Sequence, residues 1–185
     1  MDIGVPFRCF GKVDMQALAS AVLAADEAAW DEYDERQKSY EVHEQTRSIV
    51  LLFADVEAWP AVTVTKRPGW ERLAGAAVPL MHQIIGNWYP PGGTIIRAMA
   101  ARLLAAGRIV PHRDAHASFA AGHRIHVPLS SNPRVRFIVD GRPVPMEVGQ
   151  AYEINNQKVH SVMNKGATDR INFIFDYLPP RSTPS

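Results

Sequence analysis

Cysteine is nearly absent. Cys9 stands alone, so no intrachain disulfide can form and the fold does not depend on oxidation. That usage suits the cytoplasm, and a cytoplasmic protein is expected. Long apolar runs are also missing, and none could span a bilayer. The run "ALASAVLAA" (17–25) could pass for the core of a signal peptide. Asp2 and Asp14 before it, with Asp26 and Glu27 after it, favour a helix of the mature protein instead. An excess of one charge sign is lacking too: the formal net charge is +1. Partners gathered by bulk electrostatics, such as nucleic acid or a membrane surface, are therefore not expected. Repeats, low-complexity tracts and Gly/Ser linkers are absent. What is left is an ordinary globular composition, 46% hydrophobic and 21% charged, over 185 residues. One domain over 1–185 is expected, with room for a real core.

The N-terminal third reads as helix. Asp14 can cap a helix whose apolar residues Met15, Leu18, Ala19, Val22 and Leu23 recur at three and four. That helix is free to continue into the charged stretch "DEAAWDEYDERQKSYEVHEQ", read as a solvated face. A second helix is expected from Trp70 to Ile85, with Leu73, Ala77, Leu80, Met81 and Ile84 on one face. Pro90 and Pro91 in "NWYPPGG" stop it.

After Gly93 the texture becomes short β-rich runs broken by turn residues. They are "TIIRAMAARLL", "RIVPH", "HRIHVPL", "RVRFIVDGRPVPM", "QAYEI", "KVHSVMN" and "INFIFDYL". "DG" at 140–141 is a hairpin signal, because glycine accepts the positive φ of a tight turn. Seven short strands in so little chain indicate an antiparallel barrel or double-sheet jelly roll. The expected plan is a helical layer over 1–89, a jelly-roll core over 90–180 and a frayed tail over 181–185.

Five of the seven histidines lie in the β half. In a strand, residues i and i+2 face one way, so His112 and Asp114 can point together into a barrel mouth. His160 in "KVHSV" is the obvious third member. Two histidines and one carboxylate on one face of an ion describe a non-haem Fe(II) site. A bare His-x-Asp is common, so the pair alone proves little. Arg170 adds weight. It opens an apolar strand, where a buried cation is costly unless it meets an anion, and a guanidinium suits a carboxylate. A structural salt bridge is the plain alternative. Two rival histidine pairs are weaker. His112 with His116 has the spacing a helix needs for zinc, but Pro111 opposes a helix there. His123 and His126 are three apart in a strand and face opposite sides. Arg124 and His126 share a face, and His126 reads as a neighbour of the site or a satisfied core group.

The motifs "RIVPHRD", "HRIHVPL", "FIVDG", "VGQAYEINNQKVHSVMNKG" and "DRINFIFDY" resemble, in order and spacing, the aspartyl/asparaginyl β-hydroxylase family. The resemblance is dense from about Pro90 to Pro180 and faint before. It implies a double-stranded β-helix and a dioxygenase dependent on Fe(II), 2-oxoglutarate and O₂. His112, Asp114 and His160 match the metal ligands, with Asp114 where the animal aspartyl hydroxylases have glycine. Arg170 matches the arginine that holds the distal carboxylate of 2-oxoglutarate. Arg124 and His126 match the Arg-x-His strand beside the cosubstrate. Arg102 falls where the animal enzymes place a serine on that distal carboxylate, which leaves its role open between cosubstrate and substrate. Asn155 and Asn156 fall at a recurrent turn and are read as turn-stabilising.

The reaction so implied is hydroxylation of an amino-acid side chain, Asp/Asn-like or another, with release of succinate and CO₂. The substrate is expected to be a free amino acid or a peptide or protein rather than lipid, since 185 residues leave no room for an added recognition domain. Arg97, Arg113 and Arg102 are expected near the mouth, where they could meet a substrate carboxylate. Asp114 argues against halogenation, which needs that place open. Two other classes compete: a non-catalytic jelly-roll module binding 2-oxoglutarate or a metal, and a zinc jelly-roll isomerase or hydrolase.

Overall fold

The computed structural model describes residues 1–32, 45–57 and 59–180. The charged stretch beyond residue 32 and the tail from 181 lie outside them. Eleven strands and four helices are found there. They run β1 (Phe7–Lys12), α1 (Gln16–Leu23), α2 (Glu27–Asp31), β2 (Thr46–Asp55), β3 (Thr63–Lys66), α3 (Gly69–Trp88), β4 (Thr94–Leu103) and β5 (Arg108–His112). Then follow α4 (Ala117–Ala121), β6 (His123–Ser130), β7 (Val135–Val139), β8 (Arg142–Val144), β9 (Gln150–Ile154), β10 (His160–Asn164) and β11 (Arg170–Leu178).

Seven strands form one antiparallel sheet in the order β1-β9-β6-β11-β4-β2-β3, and four form a second in the order β5-β10-β7-β8. The two sheets face each other, as a jelly roll requires. Every strand expected after Gly93 is present. The "DG" turn joins β7 to β8 with positive φ at both Asp140 (51°) and Gly141 (72°), the geometry a two-residue hairpin needs.

The stretch expected as a helical layer is mixed. It also contributes β1, β2 and β3 to the large sheet. β2 was hard to read because residues 46–52 are nearly all buried, on both faces, with one apolar run instead of alternation. α3 accounts for that: its Leu73, Ala77, Leu80, Met81 and Ile84 pack over the large sheet in one cluster with Ile49 and Leu51. These five residues are the face expected from the sequence, and the helix runs to Trp88. Gly69 opens it where a Cβ would lie 2.6 Å from the Val50 carbonyl oxygen, so close helix–strand contact demands glycine there.

The first helix does not continue into the charged stretch. It ends at Leu23, and Asp26 starts α2 by accepting the Ala29 amide at 2.9 Å, a new N-cap that interrupts the first helix. Asp14 sits one position before the N-cap Met15 and accepts the Gln16 amide at 3.3 Å. A separate core of Leu103, Phe137, Val139, Tyr152, Ile154 and Val162 fills the space between the two sheets. The candidate site lies beside it. No helix among the described residues is long and apolar enough to cross a membrane.

Candidate metal centre

β5 and β10 are antiparallel neighbours, and His112 and His160 are direct partners across them. From that pair, three residues of β5 (to Ile109) span what two residues of β10 (to Val162) span. The extra residue is a bulge at Val110–Pro111, where proline has no amide to pair. A bulge re-aims side chains, and His112 turns inward here. Asp114 follows the strand end, with its amide donating to the Asn156 carbonyl at 3.3 Å. One ligand atom from each of His112, Asp114 and His160 can be chosen so that all lie within 4.8 Å of one another. The structure thus brings together the three residues expected.

Each histidine is oriented by its own chain. His112 Nδ1 lies 2.8 Å from the Val110 carbonyl and His160 Nδ1 3.0 Å from the Lys158 carbonyl. Donation from Nδ1–H leaves Nε2 as the ligand atom of each ring, the arrangement metal-binding histidines use. Burial keeps His160 below its ordinary pKa, against the pull of Asp114, so its lone pair is available. Asp114 is held through Arg124, whose Nη1 donates to Oδ2 at 2.6 Å. The other carboxylate oxygen is left for an ion.

Arg124 is anchored in turn. Its Nε and Nη2 donate to both oxygens of Asp176 at 2.8 and 2.9 Å. Arg97 donates to Asp176 Oδ2 at 3.3 Å and to Ser118 Oγ at 2.9 Å. Burial raises the cost of the Asp176 charge, but Arg124 and Arg97 outweigh it and hold its carboxyl below the ordinary value. Arg124, expected beside the cosubstrate, therefore serves Asp114. Arg97, expected at the mouth, is buried (5% exposed) inside this network. Asp176 was missed. The signal was present: in "RINFIFDY", Arg170, Asn172 and Asp176 recur at even spacing, polar positions on one face of an otherwise apolar strand. Asp176→Asn should keep the fold but loosen Asp114. We expect metal affinity to fall about ten- to a hundredfold, as for other groups that orient ligands, measured by anaerobic Fe(II) titration.

A half-open pocket adjoins the triad, with His112, His160, His126, Arg170 and Phe137 in its lining. Arg170 is 3% exposed and, among the described residues, has no carboxylate partner and no hydrogen-bond partner for its Nε and Nη2. Burial pulls its pKa down to about 9. The guanidinium lies 5.4 Å from the Phe137 ring centroid. His126 Nδ1 accepts from Asn172 Nδ2 at 3.2 Å, which makes Nε2 the protonated nitrogen, and Nε2 is buried without a partner. Burial and Arg170 together keep His126 neutral. Two buried donors thus wait in one pocket, a setting in which a carboxylate repairs the unmade bonds.

The remaining expected residues sit elsewhere. Arg102 lines the pocket wall, but its terminal nitrogens donate to Glu27 at 2.8 and 2.6 Å. Arg113 is exposed between His112 and Asp114. His116 accepts the Ser118 amide as the cap of α4, and His123 pairs with the buried Glu153. Asn155 makes the expected turn, accepting the Gln157 amide at 3.2 Å.

Residues 14–180 match the family model described as aspartyl/asparaginyl beta-hydroxylase. No curated protein matches the sequence. Solved structures with the same fold include a non-heme monooxygenase, ThoJ, as its nickel complex. It is 14% identical with a TM-score of 0.60, covering 95% of this chain and 74% of that one. HygX from Streptomyces hygroscopicus, with nickel, 2-oxoglutarate and hygromycin B bound, is 14% identical with a TM-score of 0.53, covering 94% and 83%. An oxidoreductase of the 2OG-Fe(II) oxygenase family from Burkholderia pseudomallei is 17% identical with a TM-score of 0.52, covering 72% and 67%.

Proposed function

The chain belongs to the aspartyl/asparaginyl beta-hydroxylase family, and from that premise we propose that it is an Fe(II)- and 2-oxoglutarate-dependent dioxygenase hydroxylating an amino-acid side chain. One observation carries the reading. The three-residue cluster of His112, Asp114 and His160 opens onto a pocket whose buried Arg170 has no counter-charge. Two nitrogens and a carboxylate on one side suit Fe(II) with places left open. A buried guanidinium in the same pocket, with two nitrogens lacking partners among the described residues, suits the distal carboxylate of a dicarboxylate. The nickel and 2-oxoglutarate held by HygX on the same fold support both halves.

Iron with 2-oxoglutarate and O₂ supplies the oxidising chemistry, with succinate and CO₂ as co-products. The chain supplies position. His112, Asp114 and His160 would hold the metal, and Arg124 and Asp176 keep the Asp114 carboxylate turned toward it. Arg170 would fix the tail of 2-oxoglutarate, so that its keto end is presented in one orientation. His126 would donate its Nε2–H to the other carboxylate. Phe137, Val162 and Ile154 give the pocket an apolar wall, which would help exclude water once the ligands are bound.

The test is anaerobic titration of Fe(II) and 2-oxoglutarate into the protein, followed by admission of O₂. A weak visible band of the chelated cosubstrate and slow, substrate-free formation of succinate are expected. A band without succinate would make the chain a binding module. Neither, in folded protein, would overturn the reading.

A further inference from the structure

The charges of this protein are unevenly used. Residues 1–93 carry eight Lys and Arg against thirteen Asp and Glu, a net of −5. Residues 94–180 carry eleven against six, a net of +5. On the seven-stranded side, Arg8, Arg47, Arg72, Arg97, Arg102 and Arg124 each pair with a carboxylate. On and around the four-stranded sheet, Arg108, Arg113, Arg134, Arg136, Arg142 and Lys165 are exposed. None of these six forms an ion pair among the described residues. Asp140, exposed at the tip of the β7–β8 turn, is an acid beside them.

These cations surround an apolar centre. Along β10, His160, Val162 and Asn164 face inward and are buried, so Ser161 and Met163 face out. Met163 lies between Arg108 of β5 and Arg136 of β7, and Ser161 lies beside Ile138, which faces Pro143 of β8. Val110, Ile138, Val159 and Met163 are 37–42% exposed. They are half of the eight large apolar side chains exposed among the described residues. Apolar groups at the centre, with arginine and methionine prominent and a charged rim, are the composition of a protein-binding face.

We propose that this outer face docks an acidic, amphipathic polypeptide, which presents the side chain to be hydroxylated. The second half rests on the hydroxylase reading above. Position supports it. The face runs up to the metal centre, since Val110 precedes His112 by two residues, Val159 adjoins His160, and Arg113 stands between two of the ligands. The unpaired cations set the sign of the partner, because an acidic one is both steered and retained. Among the described residues the face carries no exposed Phe, Tyr or Trp ring, which argues against single-stranded nucleic acid, where bases need stacking surfaces. It equally lacks the Trp and Phe anchors of a membrane-surface element. A second copy docked symmetrically would oppose like charges.

The experiment uses the full chain and a fluorescein-labelled peptide in which aspartate alternates with leucine and serine. Fluorescence anisotropy should show saturable binding that weakens with salt. Arg108→Glu with Arg136→Glu should weaken it by about tenfold or more, and Ile138→Ser with Met163→Ser should weaken it at unchanged charge. Equal binding by either double variant would overturn the proposal, the second by reducing the contact to bulk charge. Tighter, face-dependent binding of phosphatidylserine vesicles or a DNA oligonucleotide would overturn it, as would self-association through this face in light scattering. Substrate-free succinate formation, measured on the same samples, should be unaltered by the variants. Its absence from wild type with peptide binding intact would sink the hydroxylase reading and leave a docking face. Its presence without peptide binding would sink the docking face alone.

Discussion

His160→Ala is expected to lower Fe(II) affinity at least about a hundredfold, beyond what loss of an orienting group costs, and to abolish succinate formation. The fold should survive. The ring contributes one hydrogen bond to the Lys158 carbonyl, worth about 1 kcal/mol, and its removal opens space toward an existing pocket. The diagnostic is therefore the gain in stability on adding metal. An ion at a hundred times its Kd stabilises the folded state by about 2.7 kcal/mol. Wild type should show an upward shift in Tm with Fe(II) under anaerobic conditions, and His160→Ala should show almost none. Equal shifts in both would mean that the ion binds elsewhere, and the triad would lose its assignment. His123→Ala is the control, because His123 is engaged by Glu153 and lies with its ring centroid 4.5 Å from that of Tyr89, outside the cluster.

The contrast between His160 and Arg124 shows what a single sequence carries. A strand keeps its i and i+2 side chains together, so His112 with Asp114 could be read from spacing. The β-rich runs after Gly93 were bounded by turn residues, and each became a strand. What spacing cannot express is register between distant strands. Arg124 and Asp176 are 52 residues apart and meet because β6 and β11 align them as direct partners. Arg102 meets Glu27 across 75 residues, on a helix whose start at Asp26 was not anticipated. Arg97, Arg102 and Arg124 thus stand near the site as expected, but each also meets a carboxylate that spacing does not show. β2 escaped for the opposite reason: covered on both faces, it lacked the alternation that marks a strand. Arg170 was legible because the apolar strand around it implied burial, and burial without a partner was the part that only the structure could supply.

That unpartnered state leads to the other large effect. Arg170→Met should make the protein more stable and weaken its binding of 2-oxoglutarate. Replacing even a paired set of buried charges by apolar side chains of similar size is often neutral or stabilising, by about 1–4 kcal/mol. Here the charge has no carboxylate partner among the described residues, and its Nε and Nη2 make no hydrogen bond there, so a gain is expected. The cosubstrate should lose its bidentate anchor. Loss of one member of a buried charge pair costs about 2–5 kcal/mol, so affinity should fall about thirtyfold or more. The sign of the pH dependence follows from burial, which pulls Arg170 down to about 9. The unfolded chain then holds the proton more tightly than the folded one. The penalty is complete below about pH 9 and eases as pH rises from there toward the ordinary arginine value. The stability gap between Arg170→Met and wild type should therefore be full at neutral pH and narrower at pH ~10. Adding 2-oxoglutarate with metal should close the gap at neutral pH, because the ligand supplies the missing counter-charge to wild type alone. Denaturant unfolding of both proteins, with and without ligand, measures all three quantities. A variant less stable than wild type, or one that gains as much stability from 2-oxoglutarate as wild type does at the same concentration, would mean that Arg170 is satisfied within the fold and is not the cosubstrate's anchor.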